Sequence, residues 1–143
     1  MSKINKTKFV GTTAISIATG KFGVTKIPTT PEGRVVRLVV FQASGTAVAF
    51  TVDMVENLDG MTLGDNTGSL PADIALYRVM PQQSVTSGST LYIYDIDEGH
   101  HYINDEGNPT IRVRNLYLVI SPTGAAGTTT WDACVVTESF YAS

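Results

Sequence analysis

The sequence lacks most of what would announce a chemistry. Its 143 residues carry one cysteine, Cys134, so no intramolecular disulfide can staple the chain. The setting of that cysteine in "TTTWDACVV" reads as a buried, inert thiol in a strand. Histidine occurs only as the adjacent pair His100 and His101, which leaves no histidine elsewhere to complete a triad. There is no GxSxG elbow, no P-loop and no GxGxxG opening a helix, and with them go the serine-hydrolase and nucleotide-binding fingerprints. No apolar run approaches the ~20 residues of a membrane span. The opening "MSKINKTK" has no apolar core of the kind a signal peptide needs, so the expectation is a chain made in the cytosol, in which the sequon Asn5-Lys6-Thr7 carries little meaning. Lysine is absent beyond residue 26. The chain beyond residue 40 is acidic, without the basic patch that nucleic acid requires.

What is present describes a β domain. Hydrophobic content of 43% and charged content of 16% exclude a disordered chain, whose few apolar groups could not offset the entropy of ordering. The length suits one domain, residues 1–143, with one core. There are nineteen threonines, and a β-branched side chain that tolerates water suits the outer face of a sheet. The net charge of −3 divides unevenly along the chain. Residues 1–40 hold seven of the ten basic residues against Glu32 alone, a balance of +6, and residues 41–143 hold three arginines against twelve acids, a balance of −9. Such asymmetry suits either a basic arm meeting an acidic partner, copies docking front to back, or an ordinary solvated surface.

Alternation of apolar and polar residues predicts the strands. "TAISIAT" (13–19) and "GVTKI" (23–27) have a period of two, and "PTTPEG" (28–33) is a turn. Residues 1–11 are expected to form a flexible arm, being polar and basic at the start. "RVVRLVVFQA" (34–43) reads as a central strand and "AVAFTVDMVE" (47–56) as its partner, with Val48, Phe50, Val52 and Met54 facing one way. Ser44-Gly45 between them predicts a tight hairpin, since glycine accepts the positive φ of primed turns. A long loop (57–71) follows. "ADIALYRVM" (72–80), held between Pro71 and Pro81, reads as a strand in preference to a short helix. "GSTLYIYDI" (88–96) places Leu91 and Ile93 on one face and Tyr92 and Tyr94 on the other. Segments 110–121 and 128–140 are the last strands, the latter alternating Trp131, Ala133 and Val135 with Asp132, Cys134 and Val136. About eight turn-punctuated strands with no repeat, heptad or linker predict a single β-sandwich.

One stretch resembles a site. "DIDEGHHYINDEGNP" (95–109) gathers Asp95, Asp97, Glu98, Asp105 and Glu106 around His100 and His101. As a calcium loop it fits only in part, because glycine falls at the fifth position where an EF-hand needs it at the sixth, so Asp95, Asp97 and Glu98 remain the calcium candidates. Adjacent histidines on a strand point to opposite faces, so a zinc site would need ligands from elsewhere, and Cys134 is the only soft candidate. Paired carboxylates could serve a glycosidase, yet spacing along a chain cannot set the gap between two acids across a cleft. Two imidazoles among carboxylates would make any subunit contact built there sensitive to pH near neutrality. Asn104, Asp105, Gly107 and Asn108-Pro109 are turn formers, so the segment reads first as an exposed loop between strands, with no catalytic residue, metal or cofactor assigned.

The succession "VVRLVVFQASGTAVAFTVDMVENL" then "YINDEGNP…LYLVISPTGAAGTTTWDACVV", with the basic start and the threonine- and glycine-rich composition, resembles the head decoration (cement) proteins of tailed bacteriophages. The resemblance runs over most of the chain and implies a jelly-roll-like sandwich with a flexible N-terminal arm, and a homotrimer seated on the outer surface of a capsid. It also implies that the trimer clamps neighbouring copies of the major capsid protein, with neither nucleic acid nor membrane as partner. On that reading Lys3, Lys6, Lys8 and Lys21 are candidates for the capsid contact, and Tyr92, Tyr94, His100 and His101 for subunit contacts. Phe41, Phe50, Tyr117 and Trp131 suit either trimer contacts or the sandwich core. Tyr92, Tyr94 and Tyr102 could equally stack on sugar rings, so a carbohydrate-binding module or a receptor-binding domain of a phage tail or fibre is the alternative, with an enzyme last.

Overall fold

The computed structural model describes residues 4–27, 34–58, 60–94, 116–124 and 127–142. Nine strands run through them: β1 (Ile4–Ile17), β2 (Lys21–Ile27), β3 (Arg34–Ser44), β4 (Phe50–Val55), β5 (Gly64–Thr67), β6 (Gln83–Val85), β7 (Leu91–Tyr94), β8 (Leu116–Pro122) and β9 (Thr129–Ala142). Among the described residues the only helical element is one 3₁₀ turn, Ile74–Leu76. The strands form two sheets, ordered β1-β9-β3-β7 and β5-β2-β8-β4-β6, and every pairing is antiparallel.

The pairings are nested. β1 pairs with β9, β2 with β8, β3 with β7 and β4 with β6. This is one long antiparallel ribbon whose tip is β4–β6, rolled so that successive pairs fall alternately in the two sheets. The β9–β3 and β8–β4 ladders then close each sheet. A ribbon rolled in this way is a jelly roll, and the all-β sandwich expected from the alternation is what the chain forms.

The alternation decides which side chains meet between the sheets. Ile17, Leu38, Val40, Trp131, Ala133 and Val135 from the first sheet face Ile27, Phe50, Val52, Met54, Leu118 and Ile120 from the second. Phe50 and Trp131 are both almost wholly buried, with ring centroids 4.5 Å apart and planes tilted by 59°, a favourable aromatic geometry. The indole N–H donates to Thr129 Oγ1 at 2.8 Å, so the one polar atom of the tryptophan is satisfied in the core. β2 packs so closely over β1 that a Cβ on Gly23 would meet Ile17 Cγ1 at 2.6 Å.

The second sheet is buried on both sides. Its outer face presents Phe22, Val24, Val55 and Val119, and Met61 and Ile74 from residues 56–80 cover them. Asp53 also points outward from β4, is fully buried, and accepts hydrogen bonds from Arg78 Nε at 2.5 Å and from Gln82 Nε2 at 2.9 Å. Those bonds pin the covering segment to the sheet.

Four expectations are corrected. The arm predicted for residues 1–11 is, from Ile4 onward, part of β1 and in register with β9 from Ala142. An edge strand has one side of its backbone unpaired, and a polar sequence such as "INKTK" can sustain it. The predicted hairpin at Ser44-Gly45 does not form, because β3 and β4 lie in different sheets. Gly45 does take positive φ (96°), but the chain then crosses between sheets, and Gln42 organises that crossing. Gln42 Nε2 donates to the Ser44 and Thr46 carbonyls at 3.1 and 2.8 Å, and its Oε1 accepts from the Val48 amide at 3.2 Å. The strand expected over 72–80 is the 3₁₀ turn followed by a single bridge between Arg78 and Val55. Pairing along that edge of β4 stops there and resumes at Gln83, past Pro81, which has no N–H to give the ladder. Lastly, β5 and β6 lie where no strand was expected.

Candidate functional site: the outer face of the first sheet

The outer face of β1-β9-β3-β7 has no counterpart to the 56–80 segment among the described residues. The register aligns its outward side chains in rows across the sheet. Val10, Val136 and Arg37 form one row, Thr12, Cys134, Val39 and Tyr92 the next, and Ala14, Asp132 and Phe41 a third. Ser44 and Thr130 close the face with hydroxyls 2.6 Å apart. Five large hydrophobic side chains are exposed among the described residues, and three of them stand here: Val10 (59%), Phe41 (39%) and Tyr92 (60%). The other two, Leu63 and Leu76, are on the covering segment.

Phe41 and Tyr92 are diagonal neighbours, since Tyr92 lies opposite Val39. Diagonal pairs on an antiparallel ladder sit roughly 7–8 Å apart, within reach of aromatic rings. Asp132 is directly opposite Phe41. A shallow depression of about 450 Å³ opens between them, lined by Thr12, Ala14, Phe41, Asp132 and Cys134. Among the described side chains the face is therefore apolar and aromatic, with one acid and one arginine. Among the described residues it carries no nucleophile–base pair, and no three metal-ligating side chains come together.

The candidates from the sequence are dispersed. Lys6 and Lys8 lie in the first half of β1, and Lys21 opens β2 beyond its far end, where its amide donates to the Ala18 carbonyl. Ten residues of extended chain separate Lys8 from Ala18, roughly 33 Å, so these lysines do not form one patch. Lys3 lies outside the described residues. So do Asp95, Asp97, Glu98, His100 and His101, and with them the calcium and histidine readings. Tyr92 is on the open face, and Tyr94 follows it on β7 opposite Arg37. Of the four aromatics left between core and contact, Phe50 and Trp131 are core, Tyr117 packs with the second cluster, and Phe41 is exposed. Nothing in the sequence singles out Val10, and Cys134, expected in the core, stands half-buried on the outer face. The alternation around Trp131 carried the signal that Cys134 faces outward.

No helix among the described residues is long and apolar enough to cross a membrane. No family model matches the sequence, and no curated protein is similar to it in sequence. The fold is similar to that of the decameric BFDV capsid protein, with a TM-score of 0.50 over 95% of this chain and 97% of that one, at 10% identity. At that identity the likeness is one of fold, a jelly roll matched over nearly the full length of both chains.

Proposed function

We propose that this chain is a structural, non-enzymatic protein of a virus capsid, and more narrowly a decoration subunit that binds the assembled shell and stabilises it. The observation that carries the reading is the nested jelly roll with an apolar sheet face that no described segment covers, in a fold similar to a protein that bears the name capsid protein. A face that exposes Val10, Phe41 and Tyr92 together has the composition of a protein contact. The mechanism is mass action: a subunit that binds only the assembled lattice stabilises that lattice, as any ligand stabilises the state it binds. Many copies bridging shell subunits add avidity to individually small contacts. The major capsid protein is the partner, and a homotrimer on the outer surface of the virion is the arrangement the phage resemblance implies.

Immunogold labelling of particles of the virus that carries this sequence tests the proposal. Label on intact particles supports a decoration subunit. Label only on disrupted particles would retain the capsid role and overturn the outer-surface one, and absence from both would overturn the whole reading.

A second reading rests on Phe41, Tyr92 and Asp132. Two exposed rings beside a carboxylate can stack on and hydrogen-bond a sugar. Saturable quenching or shifting of tyrosine signals by oligosaccharides, lost in Tyr92→Ala, would favour a carbohydrate-binding module.

A further inference from the structure

We propose that the hollow where the β1–β2 turn, the exit of β5 and the end of β8 meet is a binding site for a carboxylate on a short aliphatic stem. The site belongs to the second sheet, goes beyond the capsid reading and does not depend on it.

The hollow has a volume of about 220 Å³. Lys21, at the start of β2, is half-buried and is the only charged residue lining it among the described residues. Phe22, Leu70 and Pro122 give it apolar walls. Gly20 and Gly68 line it too, and a Cβ on either would meet nothing within 4 Å, so the approach over both peptides is open. Asp65, on the strand beside β2, is not in the lining, and its carboxylate accepts from the Ala18 amide at 3.3 Å.

Ser121 supplies a second, independent observation. It follows Val119 by two places on β8, so it faces the outer side of the sheet, beside Phe22 and one rung past the Gly23–Ile120 pair. Its Oγ is buried, and it is the one buried side-chain polar atom without a hydrogen-bond partner among the described residues. A buried hydroxyl left unpaired is unfavourable, and most such groups in folded chains have a partner. Ser121 itself lines the hollow. Rotation about χ1 between staggered wells turns its hydroxyl to a ligand seated there, as donor.

These groups select the ligand. An ammonium offers only donors and the hydroxyl can donate, so their complement is negative and rich in acceptors. One ammonium balances one negative charge, whereas a phosphate dianion would bring a second charge against apolar walls with nothing to pair it. A carboxylate matches the charge, and an aliphatic stem fills the space beside Phe22, Leu70 and Pro122. The hollow is small beside the roughly 300–1,000 Å³ of drug-sized pockets, so its ligand has few atoms and binds at roughly millimolar concentration. A free acid and the glutamate side chain of a partner protein both carry this group.

The test titrates butyrate into the isotope-labelled full chain and follows the backbone amides by NMR. Butyramide, inorganic phosphate and capped glutamate (N-acetylglutamate methylamide) are the parallel probes. The expected result is saturable movement of the Gly20, Lys21, Gly68 and Ser121 amides with butyrate, and little with butyramide, which has the same shape without the charge. Lys21→Gln and Ser121→Ala should each weaken butyrate binding about tenfold, the scale of a hydrogen bond to a charged group. Ser121→Ala should leave the melting temperature of the ligand-free chain unchanged or raised, since it removes a hydroxyl that has no partner. A lower melting temperature with butyrate binding intact would show that the hydroxyl serves the fold, and would overturn its place in the site. An equal response to butyramide, tighter binding of phosphate, Lys21→Gln without loss, or shifts spread away from the hollow would overturn the proposal. Capped glutamate that binds as tightly as butyrate assigns the site to a partner's acidic side chain, and capped glutamate that does not bind assigns it to a free acid, both supporting a carboxylate. Labelling of virus particles is independent of these outcomes, so either reading can fail alone.

Discussion

Arg78 reaches from the end of the segment that covers the second sheet to Asp53 on β4, and its Nε–H donates to a carboxylate that is fully buried. The arginine itself is 24% exposed, so the pair joins a partly wet cation to a dry anion. Removing the cation leaves the anion in place with Gln82 as its one remaining partner among the described residues. Breaking a buried pair from one side costs about 3–5 kcal/mol, whereas replacing both members with apolar groups is often close to neutral. Arg78→Met should therefore lower unfolding stability in urea by about 3 kcal/mol, and Asp53→Leu with Arg78→Met should recover most of the loss. Equal losses in the single and double variants would show that the pair does not pin the segment.

Thr129 provides a second test. It is almost fully buried, and its hydroxyl is the acceptor for the Trp131 indole. Thr129→Val keeps the shape and strands the indole N–H, at a cost of about 1–3 kcal/mol. For a chain of this size that lowers the melting temperature by about 2–4 °C for each kcal/mol. Emission from the single tryptophan should remain that of a buried indole, so the loss is read in the melting curve.

Two glycines with positive φ should behave differently. A Cβ on Gly45 would meet the Thr128 carbonyl oxygen at 2.9 Å, whereas one on Gly88 would meet nothing within 4 Å. Both alanine variants incur the cost of a left-handed residue, about 1–2 kcal/mol. Gly45→Ala adds a collision with backbone and should be the more destabilised in urea by at least about 1 kcal/mol.

Gln42 makes three hydrogen bonds to the backbone of the crossing between β3 and β4. Gln42→Leu should cost about 1 kcal/mol, since water can reach the freed Ser44 and Thr46 carbonyls and only the Val48 amide is part-buried. Amide exchange should be faster at Val48, which donates to the lost side-chain oxygen, while exchange at Leu118 in the middle of its sheet is little altered.

The sequence made the strands legible where alternation was strong. Phe50, Val52 and Met54 face the core as their spacing predicts, and so do Trp131, Ala133 and Val135. It misled where a local rule met a non-local one. Gly45 takes the positive φ of a hairpin, yet the partners of β3 and β4 are distant strands, and nothing near Ser44 encodes them. β5, "GDNT", has no apolar alternation to detect, since it joins the sheet by backbone pairing to β2. The open face was partly legible. Tyr92 was marked as a contact residue and Phe41 as core or contact, but Val10 and Cys134 become surface neighbours only through the β1–β9 register. Residues adjacent in space through pairs such as Val10 and Val136 are 126 positions apart in sequence.

The nested ribbon also fixes the order in which the chain can be completed. β9 lies between β1 and β3, so the last of the described strands to leave the ribosome is an interior member of the first sheet. Until it arrives, β1 has no ladder to join, and the apolar inner edge of β3 stands open. Pairing β1 with β9 closes a long loop, and topologies dominated by such distant pairs fold in milliseconds to seconds where helical bundles take microseconds to milliseconds. During synthesis the half-made roll is a strand edge in search of a partner, and a neighbouring nascent copy offers the same β9 sequence that it lacks. Crowded translation of this chain therefore favours strand exchange between copies, and slower, well-spaced synthesis favours the closed roll.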